Sequence, residues 1–384
     1  MKDIIKKIDK PLFVFMILYT ILGLVMIFSA SSITAVLYNK VAESYFFKKQ
    51  LVFVIVSWFL GLFLVLRFPT KNYNKIGPFA MLAITITLAL LVPYGSITNS
   101  ARSWFNLGFV KIQPSEFVKS IMIVYLAVYF EKLIKKRNYD IKMIMLPFTL
   151  VLASIILIGY QPDLGTALIV AGIAGLIFLS LPINTNKMKY MKLAGILIAT
   201  ILFIFIFIGG GALNAEQTSR LTYRRPCTRY TQKTGYQVCN GFIAISNGGL
   251  FGVGLGNSTQ KYLYLPESHT DFIFPIIVEE LGAIAGVVII LGFVFILFRL
   301  LKIAKNASTI KGSIIAYGTF CYILLHLLIN FMGILALIPL TGVPVPFLSY
   351  GGSFYINLMF LLFLNQRVVY ENNKNRTKEL LRSI

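Results

Sequence analysis

The chain has 384 residues, of which 57% are hydrophobic and 13% charged, and it carries a formal net charge of +22. A soluble domain is nearer half apolar and about a quarter charged, so this composition excludes one. Continuous apolar runs of about 18 residues or more also exclude a β-barrel, whose strands are short and alternating, and suit helices that cross roughly 30 Å of hydrocarbon.

Ten apolar stretches, at 11–31, 47–67, 76–95, 114–134, 143–160, 162–182, 190–213, 272–298, 312–338 and 345–366, predict an all-α, polytopic membrane protein forming a single domain over 1–384. The first stretch reads as an uncleaved start-transfer helix, because its apolar run exceeds a signal peptide's and nine more follow. With both termini cytoplasmic, about two thirds of the 36 basic residues fall in cytoplasmic segments, which is the positive-inside bias. The basicity therefore sets topology and meets anionic lipid heads. A nucleic-acid partner is excluded, because no basic face interleaved with stacking aromatics occurs. The tail at 367–384 reads as short and mobile.

Most loops are short. The exception, 214–270, lies outside and holds Arg220, Arg224, Arg225, Arg229, Lys233 and Lys261 against the general bias. A loop this long is functional or disordered, and its apolar, glycine-rich run "GFIAISNGGLFGVGLG" argues for a partly helical lid. Cys227 and Cys239 share this loop. A disulfide there is chemically accessible, but the default reading is two free thiols.

Polar residues gather where the helices begin. The loop before the fourth stretch, "NSARSWFNLGFVKIQ", brings Arg102 and Trp104 just outside the membrane. Trp is ordinary in an interfacial belt, whereas Arg102 could hold a phosphate bidentately. The fourth stretch opens "QPSEFVK", with Pro114 suited to the first helical position. Glu116 and Lys119, three apart, share a face there. They are either an interfacial pair with snorkelling side chains or the lining of a cavity. Asp163, in "YQPDLGTA", falls in a first helical turn, where an acid complements the helix dipole; position alone favours that structural role.

Only 14 residues are acidic, yet Glu267, Asp271, Glu279 and Glu280 crowd into "PESHTDFIFPIIVEELG" beside His269. Asp271 stands at the mouth of the eighth helix, where a carboxylate can stay ionised yet partly desolvated, as a proton acceptor for a hydroxyl should be; the competing role is an N-cap. Glu279 lies about 12 Å deeper along the helix and must face protein or water. His326 and Asn330 read as an interhelical hydrogen-bonding face. The glycine-rich runs "NGGLFGVGLGNS" and "PFLSYGGS" match neither phosphate-loop nor dinucleotide motifs and read as close packing.

Taken in order, "GLVMIFSAS" (23–31), "ARSWFNLG" with "QPSEFVK" (101–119), "QPDLGTAL" (161–168), "NGGLFGVGLGNSTQKYLYLPESHTDFIFPIIVEELG" (247–282) and "IPLTGVPVPFLSYGGS" (338–353) resemble the SEDS family of bacterial cell-wall synthesis, that is FtsW, RodA and SpoVE. The resemblance implies a peptidoglycan glycosyltransferase of the bacterial cytoplasmic membrane. Such an enzyme polymerises lipid II into glycan strands at the outer face by an inverting displacement that releases undecaprenyl pyrophosphate. It maps the family's proposed catalytic aspartate, in "HTDFIF", onto Asp271 beside His269, and its required tryptophan onto Trp104. Glu116, Lys119 and Asp163 fall on polar cavity positions. Arg102, Lys119 and Arg220 are the candidates to surround the pyrophosphate, with a bound divalent cation (Mg or Mn) a further candidate of unidentified ligands. The implied partners are the growing glycan strand, a class B penicillin-binding protein as transpeptidase, and divisome or elongasome proteins. "GLVMIFSAS" leans toward FtsW and SpoVE, although division, elongation and sporulation roles all stay open. Two rival readings remain, a lipid II flippase and a non-catalytic scaffold. The chain departs from the family in "RRPCTRYTQKTGYQ" (224–237), where Arg225 replaces an acid, and at Gly241, where serine is common.

Overall fold

The computed structural model describes residues 2–98, 101–106, 108, 111–137, 140–183, 185–208, 225–231, 233–262 and 264–382. Each of the ten predicted stretches overlaps a helix: α2 (Lys10–Ile33), α3 (Tyr45–Leu60), α4 (Tyr73–Tyr94), α5 (Pro114–Lys136), α6 (Ile141–Tyr160), α7 (Leu164–Ser180), α8 (Asn186–Ile208), α10 (Ile273–Lys305), α11 (Ile310–Ile334) and α12 (Gly352–Arg382). A short α1 (Lys2–Lys7) precedes them, and α9 (Lys233–Gly248) occupies part of the long loop. Six of the described helices are long and apolar enough to cross a membrane, and the chain is a multi-pass membrane protein.

Helix α5 carries more charge than its neighbours because protein, not lipid, surrounds it: it packs against α4, α6, α7, α11 and α12. Charges inside a bundle persist where they find partners. Near its C-terminal end Glu131 meets Lys311 of α11 at 3.2 Å and Lys135 at 3.5 Å, and Lys311 also donates to Asn74 Oδ1 at 2.9 Å. At this same end, Asp9 pairs with Arg299 and accepts Gln366 Nε2 on its carbonyl. Arg367 donates to the Leu66 carbonyl at 2.8 Å and pairs with Glu371, which accepts from the Thr70 amide. The expected tail is therefore helical over its described part. Helix α12 continues to Arg382, and polar contacts pin its first turns beyond 366.

Two further expectations change. The segment before α5 is not a plain loop but a small antiparallel sheet, β1 (Ser96–Thr98), β2 (Ala101–Asn106) and β3 (Lys111–Ile112), in the order β1-β2-β3. Its strands are too short for an alternating pattern to stand out. In the long loop, the two cysteines are not free: Cys227, in a single 3-10 turn at Pro226–Arg229, forms a disulfide with Cys239 of α9. Of the expected lid, residues 214–224, 232 and 263 lie outside the described residues, as does the end of the seventh predicted stretch, 209–213.

The acids of α10 explain how that loop is held down. Gly282 breaks the helix with φ +86, a conformation L side chains rarely adopt. There the backbone of 249–254 lies directly on that of 279–284: the Val253 and Gly254 amides donate to the Glu279 and Glu280 carbonyls at 2.9 and 3.0 Å. A Cβ at Gly282 would collide with the Leu250 carbonyl oxygen. The wholly buried Glu279 carboxylate accepts from Ser258, from Thr259 Oγ1 at 2.9 Å and from Asn247 at 3.3 Å. Glu280 accepts from Lys261 at 3.0 Å and from Ser29 at 2.7 Å. Both acids are thus structural clamps held by local donors, as buried carboxylates require.

Thiol alkylation tests the loop. In denatured, unreduced protein the reagent should reach Cys321 alone, and reduction should expose all 3 cysteines; three labelled thiols without reductant would contradict the pairing.

Candidate active site

Residues 335–351 cross the end of the bundle between α11 and α12, and this crossing holds the segment that carries Asp271. Three successive carbonyls of that segment are taken. The Tyr350 amide donates to the His269 carbonyl at 2.9 Å, Ser349 Oγ to the Thr270 carbonyl at 2.6 Å, and Asn330 Nδ2 of α11 to the Asp271 carbonyl at 2.8 Å. Asn330 also donates to the Val343 carbonyl at 2.7 Å, and Ser349 Oγ accepts the Val345 amide at 2.8 Å. Gly342, with φ +68, brings backbone to the Asp271 carboxylate, a Cβ there lying 3.9 Å from Oδ2. Each buried bond adds about 1 kcal/mol net, and stripping its partner costs about 1–3 kcal/mol.

The result is a fixed backbone and a carboxylate directed by it. Asp271 does not cap α10, whose N-cap is Phe272 without a side-chain bond. Asp271 is 6% exposed, and its carboxylate accepts from Thr270 Oγ1 at 3.2 Å and from its own backbone amide. Burial, and then the neighbouring charge of Glu267, push its pKa up to about 7. Burial likewise lowers that of His269, whose ring packs between Phe46 and Tyr350 at centroid distances of 4.6 and 5.7 Å. A carboxylate poised near neutral pH can accept a proton and return it, which is what a general base needs.

Glu116 and Lys119 form a salt bridge of 2.8 Å inside the protein, with Lys119 0% and Glu116 4% exposed. Snorkelling is thereby excluded. The Lys119 ammonium also donates to His326 Nε2 at 3.2 Å, leaving Nδ1–H to reach the Pro344 carbonyl at 3.2 Å. The pair is thus joined through α11 to the crossing that carries Asp271's anchors. Asp163 is the N-cap of α7, one position before the first turn in which it was expected: Oδ1 accepts the Thr166 amide at 3.2 Å, while Oδ2 accepts Gln113 Nε2 at 3.0 Å at the start of α5. Gly165, two residues on, has no room for a Cβ beside the Thr341 carbonyl, so α7 also abuts the crossing.

The other expected residues are placed more loosely. Trp104 is half-buried on β2, opposite Ser96. Its strand is tied to the α6–α7 turn by Ser103 Oγ, which lies 3.4 Å from the Gln161 carbonyl. Arg102 lies on the same strand with only its backbone described, and Arg220 lies outside the described residues. The residues that sequence reasoning passed over are Ser349, Tyr350 and Gly342. Their one signal is the glycine- and proline-rich run "TGVPVPFLSYGG", which announces a tight crossing but not its partners. Among the described residues no three His, Cys, Asp or Glu side chains converge as a metal centre.

Comparisons with known proteins follow the same lines. The sequence profile of the cell cycle protein family FtsW/RodA/SpoVE matches residues 9–374. The chain is 35% identical to "Probable peptidoglycan glycosyltransferase FtsW" of Bacillus subtilis strain 168, over 99% of this chain and 96% of that one. It is 33% identical to Stage V sporulation protein E of the same organism, over 90% and 92%. Its fold is similar to that of the rod shape determining protein RodA of Thermus thermophilus, with a TM-score of 0.66, 23% identity and coverage of 95% and 97%. A chain solved in a study of polymerization and crosslinking by a peptidoglycan synthase complex gives a TM-score of 0.74 at 22% identity, covering 95% and 98%.

Two measurements probe this geometry. Lys119→Met leaves the Glu116 charge buried and unpaired, and should lower stability by about 3–5 kcal/mol. Adding Glu116→Gln should recover much of that loss in thermal unfolding, and equal melting of the single and double variants would contradict the buried pair. Asn330→Ala strips two carbonyls and should cost about 1–3 kcal/mol for each, read as a lowered unfolding midpoint.

Proposed function

We propose that this chain, which belongs to the FtsW/RodA/SpoVE family of cell cycle proteins, is a peptidoglycan glycosyltransferase that polymerises lipid II with Asp271 as general base. The observation that carries the reading is a buried carboxylate, rigidly mounted at a helix mouth, with a proton affinity close to neutrality. The relatives' names support the reaction class, and the burial and anchoring of Asp271 support its part as base.

In this mechanism Asp271 takes the proton from the 4-hydroxyl of the acceptor's N-acetylglucosamine. The oxygen's electron pair forms the new bond to C1 of the donor's N-acetylmuramic acid. The bond from C1 to the pyrophosphate oxygen breaks on the opposite face, and undecaprenyl pyrophosphate leaves with those electrons. One displacement inverts the configuration and needs no second carboxylate as covalent partner, by analogy with inverting glycosidases. Lys119, committed to Glu116 and His326, orders the crossing from within and is not free to meet the pyrophosphate. That counter-charge falls to Arg102 and Arg220, and to any divalent ion the pyrophosphate brings with it. Trp104 offers an aromatic face beside the sugars.

The positive-inside bias puts both termini in the cytoplasm and the catalytic mouth at the outer face. The disulfide of the α9 segment suits that oxidising side. A class B penicillin-binding protein, which cross-links strands, is the partner this activity calls for. Carrier function receives less support, because of the three acids a proton path would use, Asp163, Asp271 and Glu279, the first caps α7 and the last is held by local donors.

Purified protein supplied with labelled lipid II should make glycan strands. Asp271→Asn should lower the rate by about 100-fold or more at unchanged protein level; full activity in that variant would overturn the assignment, and movement of lipid II between leaflets without strands would favour the carrier. Because the base must be deprotonated, the rate should fall about tenfold per unit of pH below a half-point near 7.

A further inference from the structure

Glu267 is the one acid of the "PESHTD" run that neither clamps the loop nor carries the proposed chemistry, and two features mark it. Its backbone sits at φ +56, a left-handed conformation that glycine or asparagine adopts more readily. Its carbonyl accepts both the Thr270 amide at 3.1 Å and the Phe272 amide at 3.2 Å, so the turn that presents Asp271 closes on it. The side chain then folds back over this turn. Thr270 Oγ1 lies 2.7 Å from Glu267 Oε2, 3.1 Å from the Glu267 carbonyl and 3.2 Å from Asp271 Oδ1. A hydroxyl has a single proton to give, so these acceptors compete for one donor, and the shortest distance goes to the Glu267 carboxylate.

We propose that Glu267 is a positioning residue for Asp271: by holding the Thr270 hydroxyl and setting its own negative charge beside the buried carboxylate, it governs the pH at which Asp271 is free to accept a proton. The inference rests on the reading of Asp271 as base, and deepens it. When Asp271 is ionised, the Thr270 proton is drawn toward either acid. Whatever share of that proton Glu267 holds is lost to the Asp271 carboxylate, so this competition and like-charge repulsion both favour the protonated form of Asp271. Glu267 is exposed while Asp271 is buried, so the charge that tunes the base stands at the solvent side of the turn.

The surroundings offer no competing charge among the described contacts. From its own segment Asp271 has Glu267 and His269 as titratable neighbours. Helix α11 presents the neutral Asn330, and the crossing presents Gly342, Ser349 and Tyr350, with Tyr45 of α3 behind Tyr350. The retained strain at Glu267 has a reason on this account, since strained residues persist where function holds them.

The test reads Asp271 directly and through turnover. The carboxyl C=O band of protonated Asp271, identified by its loss in Asp271→Asn, is followed by pH-difference infrared spectroscopy in the membrane-reconstituted full chain. In parallel, the acid half-point of strand synthesis from labelled lipid II is measured. Glu267→Gln should move both midpoints down by about one pH unit. Thr270→Val, which removes the hydrogen bond that favours the ionised form, should move them up, and Thr270→Ser should keep the original values. An unshifted Asp271 band in Glu267→Gln, or shifts of the same sign in Glu267→Gln and Thr270→Val, would overturn the proposal. An inactive variant is still decided by its band. Failure of the unaltered protein to make strands would refute the base assignment instead, leaving the infrared comparison to judge the coupling.

Discussion

The structure turns on three backbone carbonyls. Those of His269, Thr270 and Asp271 are engaged in sequence by Tyr350, Ser349 and Asn330, so the loop that enters α10 cannot drift. A carboxylate on a free loop at a membrane surface would hydrate and titrate as an ordinary aspartate. Fixed this way, Asp271 is withdrawn from water, and the same desolvation that raises its proton affinity suits the proposed role as a base. Burial without the anchors would leave unpaired carbonyls, and anchors without burial would leave the proton affinity low.

The crossing that supplies these anchors is itself supported from below. His326 passes the constraint from the Glu116–Lys119 pair to the Pro344 carbonyl, and Asn330 spans Val343 and Asp271. Helices α5, α7, α11 and α12 therefore meet at one polar layer under the mouth. Such a layer is expensive to bury, and it persists here because nearly every charge in it has a partner. The other acids of the chain are used in the same fashion at the edges, Glu279 and Glu280 against the glycine-rich turn and Glu131 against Lys311.

Much of this is legible in the amino-acid sequence. Apolar run length predicts the helices because lipid demands continuous apolar surface. The crowding of acids around His269 marks the mouth of α10 as a candidate site because charges are rare in such a chain. Spacing puts Glu116 and Lys119 on one face but does not give their depth, since burial depends on which helices surround α5. The anchors are illegible for a different reason: Asn330, Ser349 and Tyr350 act on residues 59 to 81 positions away in sequence, and serine or asparagine in a helix or crossing has many ordinary uses. The small sheet escapes notice because strands of two to six residues carry too little pattern. Cys227 and Cys239 offer spacing without direction, and the turn at Pro226–Arg229 decides their pairing.

The most direct test of the account is a structure of the protein with an unreactive lipid II analogue in the acceptor position. The acceptor's 4-hydroxyl should lie within about 2.6–3.2 Å of the Asp271 carboxylate, with the three carbonyl anchors intact beneath it. A headgroup settled elsewhere, with Asp271 turned into the protein and its anchors broken, would contradict it.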